Sequence, residues 1–182
     1  GITIESSCIS LKWHDIQINL IDSPGHVDFE NQVDSATAIC EGAIIVVDVV
    51  EGVRPQTVSV LRKALKNNLK SIVVLNKIDR LIGEREMTPS EAYSNCQRII
   101  EQMNATMGSE YFNPLKGNVI FASVIHNWAF TIDIFAGIWA KIRGMNESVL
   151  KRCLWGDFGF KGSRIVKGAT AGSSLFEKMI FE

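Results

Sequence analysis

Two continuous apolar runs, Ala43 to Val50 and Ser71 to Leu75, flank a stretch whose apolar residues recur at helical spacing. Unbroken runs of this kind suit strands covered on both faces, as in parallel sheets. Parallel neighbours need a crossover, usually a helix. The stretch from Pro55 to Asn68 supplies one, with Val58, Leu61 and Leu65 on one face and a proline suited to a first helical turn. The alternation continues downstream. Thr88-Pro89-Ser90-Glu91 opens a long helix, Thr88 as N-cap and Glu91 at capping-box spacing, running through Tyr93, Ile99, Ile100 and Met103 to about Met107. Gly117 to Ser123 follows as another strand. Upstream, Ile4 to Trp13 and Ile16 to Ile21 are β-rich on either side of His14-Asp15, an interval suited to a hairpin turn. Val27 to Glu41 then places Val33, Ala36 and Cys40 on one helical face, closed by Gly42. Strands alternating with helices in this way predict a doubly wound α/β sheet.

From His126 the pattern changes. Trp128 to Ile142 reads as an aromatic-rich helix, Asn146 to Leu154 as a short helix, and Trp155 to Ser174 as weakly β. Residues 125–173 are therefore expected to form a small inserted subdomain on a domain spanning 1–124, and 174–182 to begin a last helix that is cut short. A chain of 182 residues holds one domain with a proper core rather than two large ones. Its longest apolar run contains Asp48 and falls far below the roughly eighteen residues of a membrane helix, and no signal-peptide pattern opens it. A net charge of −1 exerts no overall pull toward nucleic acid or membrane. Cys8, Cys40, Cys96 and Cys153 form no C-x-x-C pair, so neither a zinc site nor a disulfide framework is signalled, and a reducing, cytosolic setting is expected. The opening Gly1-Ile2-Thr3-Ile4, without a methionine, suggests a natural start further upstream.

Two polar motifs follow apolar strands. Asp22-Ser23-Pro24-Gly25-His26 puts a carboxylate at the strand end where α/β folds bind ligands, and Gly25 lets the backbone approach one closely. In a nucleotide site Asp22 would hold magnesium through a water, the Gly25 N–H would face a terminal phosphate, and His26 would lie beside the attacking water. The plainer alternative is a turn in which Asp22 caps the following helix and His26 is merely exposed. Asn76-Lys77-Ile78-Asp79 is sharper. The Asp79 carboxylate accepts two parallel hydrogen bonds from a ring N–H and an adjacent amino group, an edge that guanine offers and adenine does not. Asn76 would fix the strand ends while reaching the other edge of the base, and the Lys77 stem would lie across its face. The Thr3 hydroxyl would ligate magnesium from a loop closing over the phosphates. Ser123 and Val124 would support the base from the end of their strand. His126 with Trp128 reads as subdomain packing, and Lys161, Arg164 and Lys167 as a solvated face.

On these residues the chain resembles the G domain of the ribosomal translocase family of translational GTPases. Gly1 to Ile4 is similar to the end of the first switch, Asp22 to His26 to the second-switch motif, Val53 to Thr57 to a segment typical of these factors, and Asn76 to Asp79 to the base-specificity motif. Ile44 to Val47, Val50 to Val53, Asn76 to Leu81, Thr88 to Tyr93 and Glu101 to Ala105 look closer to the elongation-factor-like GTPases of ribosome maturation than to elongation factor 2. Leu154 to Asp157 is common to both branches. The resemblance implies a P-loop GTPase-type, mostly parallel doubly wound sheet and a cytoplasmic enzyme that binds and hydrolyses GTP with Mg2+. It further implies action on the large (60S) ribosomal subunit and its rRNA, with the Shwachman-Bodian-Diamond syndrome protein as partner, to release an anti-association factor. It assigns Thr3 and Asp22 to magnesium, Gly25 to phosphate, His26 to the water, Ile2 to an apolar gate beside it, and Asn76, Lys77, Asp79, Ser123 and Val124 to the base. Translocation by elongation factor 2, or a non-catalytic ribosome-binding module, are the alternatives.

No G-x-x-x-x-G-K-[S/T] occurs in the 182 residues, so the phosphate-cradling loop, with its Lys and magnesium-binding Ser/Thr, has no counterpart here. The first strand of such a fold is missing with it. The chain alone is expected to bind GTP poorly and be inactive, with a gap in its sheet that exposes strand edges.

Overall fold

Ser7–Trp13 (β1) and Ile16–Asp22 (β2) form an antiparallel hairpin in the computed structural model, which describes residues 6–24, 30–161, 164–168 and 174–181. Trp13 lies opposite Ile16, and the two-residue turn places His14 at φ 51°, the left-handed backbone that tight hairpin turns require. Ile9, Leu11, Trp13, Ile16, Ile18 and Leu20 are all exposed. Glu30–Ile39 (α1) follows within the expected Val27 to Glu41 helix, whose first residues lie outside those described. The Ser6 N–H donates to Gln32 Oε1 at 2.8 Å, tying the hairpin to α1.

Gly42–Asp48 (β3), Pro55–Lys66 (α2), Lys70–Asn76 (β4), Ile78–Gly83 (α3), Pro89–Met107 (α4) and Val119–Ser123 (β5) carry the alternation read from the apolar runs. β3, β4 and β5 pair in parallel in that spatial order. α4 starts as its sequence predicts: Thr88 Oγ1 accepts from the Glu91 N–H at 3.3 Å, and Glu91 Oε2 accepts from the Thr88 N–H at 2.8 Å. Leu61, Val73, Leu75, Leu81, Cys96, Ile99, Met103 and Phe121 fill the core between helices and sheet.

Two expectations are corrected. β3 is not covered on both faces: Ile45 and Val47 are buried, but Ile44 is 55% and Val46 60% exposed. Its pattern is continuous like that of β4, yet it is the terminal strand of its sheet, and the β1–β2 hairpin forms a separate sheet. Trp128–Phe130, expected to be helical, is a strand (β6) antiparallel to β5. Its register sets Phe130 opposite Phe121, with ring centroids 5.5 Å apart. Cross-strand aromatic packing of this kind is the unit of sheet stabilisation, and it outweighs a helical period that begins only at Ile132, after the Thr131 cap. Thr131 Oγ1 then accepts from the Ile134 N–H at 3.4 Å, capping Ile132–Arg143 (α5).

Glu147–Cys153 (α6), Phe158–Lys161 (β7) and Arg164–Lys167 (β8) follow, the last two as an antiparallel hairpin. Ile132, Ala136, Ala140, Leu150, Leu154, Leu175 and Phe176 belong to the same hydrophobic cluster as the sheet. The Tyr93 hydroxyl accepts from the Gly156 N–H at 2.9 Å, and its ring packs against Trp155 and Phe176 at 4.9 and 5.0 Å. Among the described residues no helix is long and apolar enough to cross a membrane.

Candidate functional site

Parallel pairing brings the C-terminal ends of β3, β4 and β5 to one edge, where α/β sheets bind ligands. The register aligns Asp48 with Asn76. Asn76 Oδ1 accepts from the Lys77 N–H at 2.8 Å and from the Val124 N–H at 3.2 Å, so a single side chain ties the exit of β4 to the exit of β5. The same residue's carbonyl accepts from the Val49 N–H at 3.1 Å, bringing in the exit of β3. This is the strand-fixing role that the sequence predicts for Asn76.

Lys77 sits at φ 67°, a left-handed backbone uncommon outside glycine. That turn aims its side chain back at β3, where Nζ lies 2.6 Å from Asp48 Oδ2. Asp48 Oδ1 meanwhile accepts from the Val50 N–H at 2.8 Å. Burial by itself would raise the Asp48 pKa, but the Lys77 ammonium and the Val50 and Glu51 N–H groups outweigh it and hold the carboxyl below its ordinary 3.8. Asp48 was not singled out in the sequence. A lone carboxylate inside an apolar run, level with the start of N-K-x-D, was the available signal.

Asp79 lies in the first turn of α3. Its side chain is only 19% exposed, and buried Oδ1 has no hydrogen-bond partner among the described residues. The buried Ser123 Oγ, at the end of β5, is likewise without one. Native proteins rarely leave such atoms unmatched. Oδ2 of Asp79 has His126 Nε2 at 3.8 Å. His126, read from sequence as subdomain packing, thus stands beside the motif's carboxylate.

Of the residues predicted from sequence, Asn76, Lys77, Asp79, Ser123 and Val124 converge on this edge. Asp22 ends β2, exposed, on the separate hairpin sheet. Ile2, Thr3, Gly25 and His26 lie outside the described residues.

Known proteins are similar to this chain along most of its length. The elongation factor Tu GTP binding domain family matches residues 1–179. Elongation factor-like GTPase 1 of Homo sapiens is 41% identical over 233 aligned positions, covering 100% of this chain and 21% of that protein. Ribosome assembly protein 1 is 42% identical over 190 positions in Schizosaccharomyces pombe and 41% over 204 in Saccharomyces cerevisiae, in each case covering 87% of this chain. The chain spans about a fifth of the length of these curated relatives. Given a family match along nearly its whole length and relatives above 40% identity, the chain belongs to the elongation factor Tu GTP binding domain family.

Proposed function

We propose that this chain is the guanine-nucleotide-binding part of a cytoplasmic, ribosome-associated GTPase that acts in maturation of the 60S subunit. The observation that carries the nucleotide reading is Asp79 Oδ1, a buried acceptor with no partner at the C-terminal edge of a parallel sheet. Guanine presents a ring N–H and an amino group side by side, matching the two oxygens of this carboxylate. Asn76 orients the loops on either side, Lys77 covers the base, and Ser123 and Val124 line its far side. Release of an anti-association factor, with the Shwachman-Bodian-Diamond syndrome protein as partner, is part of the same proposal. The names of the fungal and human relatives, which speak of ribosome assembly and an elongation-factor-like GTPase, favour maturation over translocation.

The phosphate end of the site rests on Asp22, Gly25, His26, Ile2 and Thr3. The exposed Asp22 carboxylate and the Thr3 hydroxyl are hard oxygen donors of the kind Mg2+ takes. When bound, Mg2+ neutralises charge on the phosphates. With nucleotide bound, the Gly25 N–H would serve the terminal phosphate, His26 would orient the attacking water, and Ile2 would shield that water on its apolar side. Residues 125–173 form an inserted subdomain in this scheme, and 174–182 open the last helix of the G domain. Without a phosphate-cradling motif in the 182 residues, the chain by itself binds nucleotide weakly and does not turn over.

The test is Asp79→Asn in the intact protein, with labelled GDP and xanthosine diphosphate compared by fluorescence titration. Replacing one carboxylate oxygen by an amide leaves a guanine donor facing a donor. GDP affinity should fall by about a hundredfold or more, while xanthosine diphosphate, with an acceptor at that edge, gains. Unchanged GDP affinity in the variant removes the base assignment.

A further inference from the structure

Asp48 is the last residue of β3, and its surroundings hold it from several sides. Oδ1 accepts from the Val50 N–H at 2.8 Å and the Glu51 N–H at 3.4 Å, while the Asp48 carbonyl accepts from the Gly52 N–H at 2.8 Å. The next residue is pinned as well. The Val49 N–H donates to the Asn76 carbonyl at 3.1 Å, and the Val49 carbonyl accepts from Asn95 Nδ2 of α4 at 2.8 Å. Oδ2 is thereby placed without taking part in any of these bonds, and its partner is Lys77 Nζ at 2.6 Å. The Asp48 side chain is 19% exposed, which shields this contact from water on the carboxylate side. Arg80 also feels the carboxylate, but at longer range, its guanidinium being bonded to Glu84 at 2.6 Å.

We infer that Asp48 is a positioning residue of the base site, tethering the tip of Lys77 so that the lysine stem already lies across the sheet edge before a base arrives. This rests on the guanine reading of Asn76 to Asp79. Lys77 leaves the exit of β4 with its backbone at φ 67°, and its ammonium ends on the neighbouring strand, one interstrand spacing of about 4.8 Å away. Both ends of the stem are therefore set, and it runs across the strand ends rather than out into solvent. A free lysine side chain is among the richest in rotamers, and ordering it on binding weakens affinity. Tethered beforehand, its methylenes offer the base a fixed apolar face. The two carboxylate oxygens have separate tasks: Oδ1 holds the turn after β3 and Oδ2 holds the lysine. A substitution can remove the second task alone.

Asp48→Asn keeps an oxygen for the Val50 and Glu51 N–H groups and puts an amide donor where Lys77 needs an acceptor. Lys77→Met keeps an unbranched apolar stem but has no ammonium to tether. The experiment measures affinity and release rate of fluorescently labelled GDP at neutral pH in the intact protein, as wild type, each single variant and the double variant. Each single variant should bind about threefold to tenfold more weakly, with faster release. The double variant should be no weaker than Lys77→Met alone, since both substitutions remove the same contact. If Asp48 only supported its own turn, its loss would add to that of Lys77→Met, and that additive result overturns the proposal. Lys77→Met that binds GDP as tightly as wild type overturns it too, whether or not Asp48→Asn folds. If wild type binds no guanine nucleotide, the guanine reading fails and takes this role with it. Variants equal to a wild type that does bind leave that reading standing and strike only the role of Asp48.

Discussion

Asp48 and Lys77 lie 29 residues apart in sequence and meet at 2.6 Å because β3 and β4 pair in parallel. The contact depends on tertiary register and on the left-handed backbone of Lys77, so the motif N-K-x-D is visible in the sequence while its partner is not. Because the folded-state pKa of Asp48 is depressed below 3.8, its stabilising contribution is fully present above that value and is lost as the pH falls through the lower, folded one. Lys77→Met should therefore move the Asp48 carboxyl titration upward, toward its ordinary value, and shift the acid-unfolding midpoint to higher pH. Carboxyl-detected NMR titration reads the first, circular dichroism against pH the second. An Asp48 titration unmoved by the substitution would show that backbone N–H groups alone set its state. The unmatched Asp79 Oδ1 and Ser123 Oγ were more legible as residues than as a site: each is a polar group after an apolar strand, but that both are buried without partners emerges only once the strands are aligned.

Individual elements declare themselves where local chemistry agrees with the fold. α4 has both halves of its capping box, an apolar face of Ala92, Tyr93, Cys96, Ile99, Ile100 and Met103, and Gly108 at φ 68° to close it. Thr88→Ala removes the hydroxyl that accepts from the Glu91 N–H, and should cost about 1 kcal/mol in urea unfolding. A loss near zero would mean that the tertiary packing of α4 carries the terminus without its cap. Beyond the helix, Asn104 holds the connection to β5, its Oδ1 accepting from the Phe112 N–H and its Nδ2 donating to the Phe112 carbonyl, both at 2.8 Å. β6 shows the opposite case. A three-residue strand has too little sequence to display a period, and Trp128, Ala129 and Phe130 join the apparent helical pattern of α5 because nothing between them marks a break except Thr131. What makes them a strand is the waiting edge of β5 and the ring of Phe121.

For the molecule as a whole, the notable property is apolar surface left open. Ile44 and Val46 on β3, Ile39 at the end of α1, and Ile18 and Leu20 on β2 are all exposed, while the β3 edge pairs with no strand among the described residues. Such an edge favours association. The 182-residue chain should self-associate with rising concentration, and Ile44→Thr with Val46→Thr should reduce light scattering while preserving strand propensity and leaving the unfolding free energy within about 0.5 kcal/mol. Scattering unchanged by the pair would place the association elsewhere. A parallel α/β sheet, its alternation of strands and helices and the N-K-x-D motif were determined by the sequence itself, because apolar runs, helical periods and caps act over neighbouring residues. Which faces are covered, that Trp128–Phe130 is a strand, that Lys77 reaches Asp48, and that His126 stands beside Asp79 were decided only by the tertiary structure. These depend on register and on contacts between residues distant in the chain, which no local pattern encodes.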